Sequence, residues 1–324
     1  MLKRLMNNKR TILILGAGVS GLSTGILLLR KGYQVTVWAK DLPPNTTSNK
    51  AAAMWFPFLC FPVDKATRWG KETFSFFLEE IITDTASGCI REPVIELFDH
   101  KKQDPTWKAA VDSFTRPSQL PQGYKDGYEI NGLTMDTNQY MDFLVEWFKK
   151  LGGKIIQKTV KNIDEAFVVN SLVINCTGLG SRKLFNDEKI YPVRGQTIKV
   201  KKNGVNTAYL DEEGRNNLAY VVPRINDIIL GGTAQENDWN EEVDEKDTQE
   251  ILQKCITIDP RFANAEILSA SVGLRPARFE VRLEAEAYPN GKHVIHNYGH
   301  GGSGFTISWG CAKDVVALVE KLQH

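Results

Sequence analysis

Paired cysteines are missing from this chain. Its five cysteines (Cys60, Cys89, Cys176, Cys255 and Cys311) are scattered, odd in number and never spaced Cys-x-x-Cys. That speaks against a disulfide framework and against zinc or iron–sulfur binding, and points to free thiols in a reducing compartment. Excess charge is missing too: 40 basic against 39 acidic residues leave a net +1, so the basic footprint of a nucleic-acid partner is absent. No apolar run reaches membrane-spanning length, since Leu22 to Leu29 is short and is bracketed by a glycine turn and Arg30-Lys31. Histidine is scarce, and only His293, His296 and His300 lie close together; they read as strand and loop residues rather than metal ligands. The lead Met1 to Arg10 lacks the apolar core of a signal peptide, and Lys321-Leu-Gln-His is not a Ser-Lys-Leu-type address. The expectation is a cytoplasmic protein with no metal, membrane or nucleic-acid partner.

What is present is an ordinary soluble composition, 42% hydrophobic over 324 residues, enough for one large domain or two interleaved ones. Thr11 to Leu15 reads as a buried strand, Leu22 to Lys31 as an apolar helix stopped by Gly32, and Gln34 to Trp38 as a second strand. This βαβ opening predicts a parallel, right-handed α/β unit. Helical spacing recurs from about Asp64 to Glu80 and from Thr137 to Leu151, where Tyr140, Phe143, Leu144, Trp147 and Phe148 form a core stripe. Ile155 to Lys158 and Leu172 to Asn175 read as short strands of the same sheet. Ile190 to Thr233 is strand-rich and predicts a mostly antiparallel second unit, and a closing helix runs to Leu322 from near Gly304.

Gly16, Gly18 and Gly21 stand between a strand and a helix, around Val19 and Ser20. In that context glycine lets the backbone approach a pyrophosphate, and the helix start offers free N–H groups and a positive dipole end. The acidic ribose partner that usually follows strand two is displaced: Ala39 and Lys40 occupy its place, and Asp41 comes next. A second turn, Cys176-Thr-Gly-Leu-Gly180, follows the Val173-Ile-Asn strand and brings Thr177 and Gly178 towards the same ligand, which suits a large dinucleotide such as FAD. Near the C-terminus, Arg282 follows Gly273-Leu-Arg-Pro276 and precedes the glycine-lined His296-Asn-Tyr-Gly-His-Gly-Gly-Ser-Gly-Phe-Thr306. A fixed cation there suits a small carboxylate.

These segments, with Asn45-Thr-Thr-Ser-Asn-Lys-Ala-Ala-Ala-Met-Trp55 and Arg194-Gly-Gln196, resemble the D-amino acid oxidase family of FAD-dependent oxidases over essentially the whole chain. The resemblance implies an α/β fold: a Rossmann-like FAD-binding domain (1–60, 137–180 and 268–324) interleaved with a mostly antiparallel β-sheet substrate domain (61–136 and 181–267). It implies that Thr46, Thr47, Ser48, Ala52, Ala53 and Met54 line the flavin and its phosphates, and that Val160 touches the adenosine side. It implies that Arg282 binds the substrate carboxylate, that Tyr220 assists, and that the Gly302 carbonyl receives the amine. Gly301, Gly302, Ser303 and Gly304, followed by Phe305 and Thr306, would start the last helix beside the flavin. Two positions depart from the family pattern: Asn216 stands where its eukaryotic members carry a lid tyrosine, within the loop 210–218, and Phe56 stands where they carry glutamine.

The implied reaction is hydride transfer from Cα to flavin N5, giving an imino acid that hydrolyses to a 2-oxo acid and ammonia, with dioxygen reduced to hydrogen peroxide. A guanidinium grips a carboxylate through two parallel bonds, so three anchors on Cα select one enantiomer. D-amino acids with neutral side chains are the expected substrates. A D-aspartate oxidase, which would use Arg215 or Arg224, a glycine or sarcosine oxidase crowded by Phe56, and a non-catalytic flavin protein are the alternatives. The plainer alternatives are an ion pair of Arg282 with Glu280 or Glu284, and Tyr220 as a strand aromatic. Arg275 and Arg278 read as loop-positioning or acid-paired residues, Cys311 as an apolar helix residue, and a homodimer stays open.

Overall fold

The structure, a computed structural model, describes residues 11–56 and 60–323. The basic lead Met1 to Arg10, the residues Pro57, Phe58 and Leu59, and His324 lie outside them. The βαβ opening is present as β1 (Thr11–Leu15), α1 (Val19–Arg30) and β2 (Gln34–Ala39), with β1 and β2 parallel. Gly32, at φ +87°, takes the left-handed conformation that ends the helix. α2 (Val63–Phe76) continues into a wider π turn over Phe77–Ile81.

Two ten-residue strands follow, β3 (Cys89–Phe98) and β4 (Asp126–Met135), paired antiparallel along their whole length. Neither was legible in the sequence. Arg91, Glu92, Pro93 and Glu96 interrupt the apolar alternation of β3, and the two glutamates are buried. α3 (Thr137–Lys150) starts on an Asp136 cap that accepts from the Asn138 and Gln139 N–H groups, and buries Tyr140, Met141, Leu144 and Phe148. β5 (Lys154–Gln157), α4 (Ile163–Phe167), β6 (Leu172–Asn175) and α5 (Ser181–Leu184) complete the parallel part.

The antiparallel part comprises β7 (Tyr191–Lys201), β8 (Ala208–Asp211), β9 (Ala219–Pro223), β10 (Asp227–Gly231) and the short β11 (Gln235–Glu236), backed by α6 (Glu245–Ile258). β12 (Ile267–Tyr288), β13 (Lys292–His300) and α7 (Gly304–Gln323) close the chain. All strands form one sheet, ordered β4-β3-β8-β9-β10-β7-β12-β13-β6-β1-β2-β5, with β11 beside β7. The 22-residue β12 joins its two parts, pairing with β7 from Ile267 to Ala277 and with β13 from Arg282 to Tyr288.

Helices α1, α2, α3 and α7 share the main core with β1 and β2. Close approach is secured by small residues: a side chain at Gly25 would meet the Phe148 ring, and one at Gly310 would enter the Trp69 backbone. Trp309 stacks on Phe76 at 4.0 Å and donates to the Tyr140 hydroxyl. Each such fully buried ring contributes roughly 1.5–3 kcal/mol.

Glu96 opposes this stability. Burial, reinforced by Glu212 and Glu213, pushes its carboxyl from 4.5 up to about 8. The folded state therefore keeps a proton that the unfolded chain releases, so stability is full below pH 4.5 and declines as pH rises towards 8. Glu96→Gln will remove most of that decline and stabilise the protein by roughly 3–5 kcal/mol at pH 9, with little effect at pH 4.5. Urea titrations at the two pH values check this; equal shifts at both would refute it.

Candidate active site

A cavity of about 850 Å³ begins at the carboxyl ends of β1, β2 and β6 and extends to β7, β9 and β12. Carboxyl strand ends are where α/β sheets place their ligands. At its first end, Gly16 has φ +109°, and a Cβ there would sit 2.8 Å from the Cys176 carbonyl carbon. Only glycine permits the β1–α1 turn to lie this close to the end of β6. α1 then starts with no acidic residue in its first turn; Gly18 offers no side-chain cap, and the Val19 N–H donates to the Ser48 hydroxyl at 3.0 Å beside the cavity. α7 likewise has no acid in its first turn, and Gly301, Gly302, Gly304 and Phe305 line the same space.

Gly16, Gly18, Val19 and Ser20 line the cavity, as do Lys40, Asp41, Thr46, Thr47, Ser48, Ala52, Ala53, Met54, Val160, Thr177, Gly178 and Tyr220. Lys40 and Asp41 sit exposed at the rim, 3.6 Å apart. Gly21, Ser303, Thr306 and Arg282 do not line it. Gly21 closes the turn instead, its Cα hydrogen facing the Gly16 carbonyl. Ser303 accepts the Ile307 N–H, and Thr306 holds the main chain of Phe56 through both its N–H and its carbonyl.

Arg282 is the main correction. Its guanidinium is matched by Glu284 and Glu286, each at 2.7 Å, and reaches the cavity wall only through the Tyr298 hydroxyl at 3.1 Å. The reason is local. By Arg282, β12 has left β7 and faces Tyr298 on β13, beyond a register shift that follows Ala277. The guanidinium that enters the cavity is Arg275, seven residues earlier, where β12 still pairs with β7. It lies across Gly195, whose missing side chain makes the room, and Nη1 donates to the Thr233 carbonyl at 2.9 Å.

No carboxylate pairs with Arg275 among the described residues. Close to it stands the Tyr220 hydroxyl, whose pKa is raised because the ring is buried, an effect the nearby guanidinium partly offsets. The Tyr220 ring lies against the bare backbone of Gly231 and Gly232. Around it Leu210, Leu218, Val222 and Met54 make the wall apolar. Phe56 packs behind that wall against Trp107, at 5.4 Å, rather than in the cavity.

Sequence reasoning also passed over His300 and Asn297. Both line the cavity, and burial brings His300 down to about 4, so it is neutral near pH 7. The thiol of Cys176 is pushed up to about 12 by burial, which leaves it unreactive. Among the described residues no His, Cys, Asp or Glu group has the arrangement to hold a metal ion, and no helix is long and apolar enough to cross a membrane.

A cavity with a glycine cradle, two helix starts free of acidic residues in their first turns, and a guanidinium without a carboxylate partner among the described residues has the features of a dinucleotide site next to a place for a small anion. A family model described as FAD dependent oxidoreductase matches residues 11–318, and the chain belongs to that family. It is 52% identical over 322 residues to a D-amino-acid oxidase of Dictyostelium discoideum, covering 97% of this chain and 92% of that protein. It is 38% identical over 308 residues to a D-amino-acid oxidase of Rubrobacter xylanophilus, covering 94% of each. In fold it is similar to a glycine oxidase from Bacillus cereus, at a TM-score of 0.78 and 18% identity, over 98% of this chain and 96% of that one.

The residues present fit FAD. The bare Gly16–Gly18 turn and the α1 start suit a pyrophosphate, the Thr46–Ser48 hydroxyls stand beside it, and Ala52, Ala53 and Met54 offer a flat apolar wall.

Proposed function

We propose that this chain is an FAD-dependent oxidase of D-amino acids with neutral side chains. One observation carries the reading: the Arg275 guanidinium, beside the buried Tyr220 hydroxyl and without an acid partner among the described residues, lies in an apolar part of the cofactor cavity. Bound FAD supplies the hydride acceptor and passes the electrons on to dioxygen. Arg275 takes the substrate carboxylate with paired, charge-assisted bonds, and Tyr220 adds one more. The Gly302 backbone receives the amine. These anchors fix Cα, so only one enantiomer presents its hydrogen to the cofactor while its side chain meets Leu210, Leu218 and Val222.

No side chain has to act as a general base if the amine arrives deprotonated, which agrees with a neutral His300 as the only histidine lining the cavity among the described residues. Positioning and exclusion of water supply the rate. The acidic-substrate alternative lacks its cation. Arg215 donates to the Gln122 carbonyl and Arg224 pairs with Asp227, both away from Tyr220. The glycine-oxidase alternative lacks its crowding, because Phe56 stands outside the cavity.

The segments 1–60, 137–180 and 268–324 form the cofactor-binding part in this reading, supported by the parallel strands and the two helix starts, free of acidic residues, that they contribute to the cavity. A cytoplasmic setting is supported by five free thiols, four of them buried. A homodimer is supported by the exposed, stacked pair of Phe61 and Phe279.

Anaerobic mixing tests the activity. D-alanine and D-methionine will bleach the yellow absorbance of the FAD-loaded protein, whereas L-alanine will not and D-aspartate will do so far more slowly. Bleaching by D-aspartate first would end the neutral-substrate reading, and no bleaching by any D-amino acid would end the oxidase reading.

A further inference from the structure

A second groove of about 350 Å³ lies on the same sheet face as Tyr220 and Arg275. Strand alternation carries three strands from one space to the other. β9 runs from Tyr220 through Val222 towards Arg224 just past its end, β7 from Gly195 through Thr197 to Lys199, and β12 back from Arg275 through Gly273 to Ser271 and Ser269. Asn45, Lys50, Ala51 and Thr197 border both spaces, so the 45–51 segment is the wall between them.

The groove is cationic. Arg224 is only 3% exposed, yet it lines the groove. Its Nε donates to Asp227 at 2.7 Å and its Nη1 lies 3.5 Å from the Thr137 hydroxyl, while Nη2 has no acceptor among the described residues. Lys199 stands 3.4 Å from the other Asp227 oxygen, and Lys50 makes no ion pair among the described residues. Three cations thus face one carboxylate. An anion entering the groove therefore meets a net positive surrounding. The hydroxyls of Ser269 and Ser271 border the same space, the latter 3.1 Å from the Thr197 hydroxyl, while the Thr137 hydroxyl donates to the Asn49 carbonyl.

We propose that this groove binds a small oxyanion with two negative charges, gripped by Arg224 and Lys199 and completed by Ser269 and Ser271. Inorganic phosphate and a short dicarboxylate share that chemistry. The site is separate from the substrate anchor and does not depend on the oxidase reading. Because Lys50 and Thr197 border both spaces, occupancy also alters the electrostatic surroundings of the cofactor.

The test is calorimetric titration of the FAD-loaded protein with phosphate and, separately, with succinate, at constant ionic strength. At least one of them will bind saturably at a single site, and which one identifies the ligand class. Affinity will fall at least tenfold in Lys199→Met, recover in Lys199→Arg, and stay unchanged in Arg275→Met. Lys199 is about one-third exposed, so these changes leave the core intact. No saturable binding of either anion, unchanged affinity in Lys199→Met, or loss of binding in Arg275→Met would each overturn the proposal.

Discussion

Arg275→Met will lower kcat/KM for D-alanine by roughly 30- to 5000-fold, the factor that about 2–5 kcal/mol of lost carboxylate binding represents. Methionine keeps the apolar stem over Gly195 and removes only the charge. Arg275→Lys will recover part of the loss, because an ammonium attracts a carboxylate but cannot form the planar pair of bonds. Arg282→Met is the control. Its guanidinium already serves Glu284 and Glu286, so turnover will stay within a few-fold while stability drops by roughly 1–2 kcal/mol. Steady-state kinetics on variants with matched FAD content decides. Equal losses in both, or a loss confined to Arg282→Met, would move the anchor back to the residue first expected.

Gly16→Ala and Gly18→Ala will separate folding from cofactor retention. At Gly16 a side chain meets both a disfavoured φ of +109° and the Cys176 backbone, neither of which can yield cheaply. That variant will lose roughly 3 kcal/mol or more and emerge colourless. Gly18 has an ordinary φ of −76°, and its Cβ would touch only the Ser48 hydroxyl at 3.1 Å. Gly18→Ala will therefore fold with near-normal stability yet hold FAD at least tenfold more weakly, since the added methyl stands in the cradle. Visible absorbance against protein absorbance, with a urea titration, reads both effects. A yellow, stable Gly16→Ala would show that the turn is not the cradle.

The segment from Thr11 to Ala39 was readable because its signals agree: an apolar pentapeptide, a glycine turn, a 3.6-period helix and a left-handed stop at Gly32 all describe one βαβ unit. β3 was not, because two of its buried positions are glutamates and a third interruption is proline. The site was half readable. Residues held by local turns, from Gly16 to Ser20 and from Thr46 to Met54, came with their own neighbours. The arginine depended on which face a long strand presents.

Charge pattern held the missing clue. Glu280, Glu284 and Glu286 share the parity of Arg282 along β12, so a strand places them on its face and two of them satisfy it. Arg275 has no acid within four positions on either side. An arginine with no local acid is the one free to take a substrate's. Gly195, which makes its room, is eighty positions away in sequence and visible only once β7 and β12 are paired.

That pairing has a mechanical consequence. Because β12 is laddered to β7 at one end and to β13 at the other, a single girder ties the cofactor cradle to the substrate wall. Rocking one half against the other would shear two ladders at once. The two halves are thus joined by continuous backbone pairing on both sides of Ala277. At the rim of the cavity, Trp239 stands half in solvent on a segment whose carbonyls, Asn240 and Glu242, are clamped by the buried Arg194.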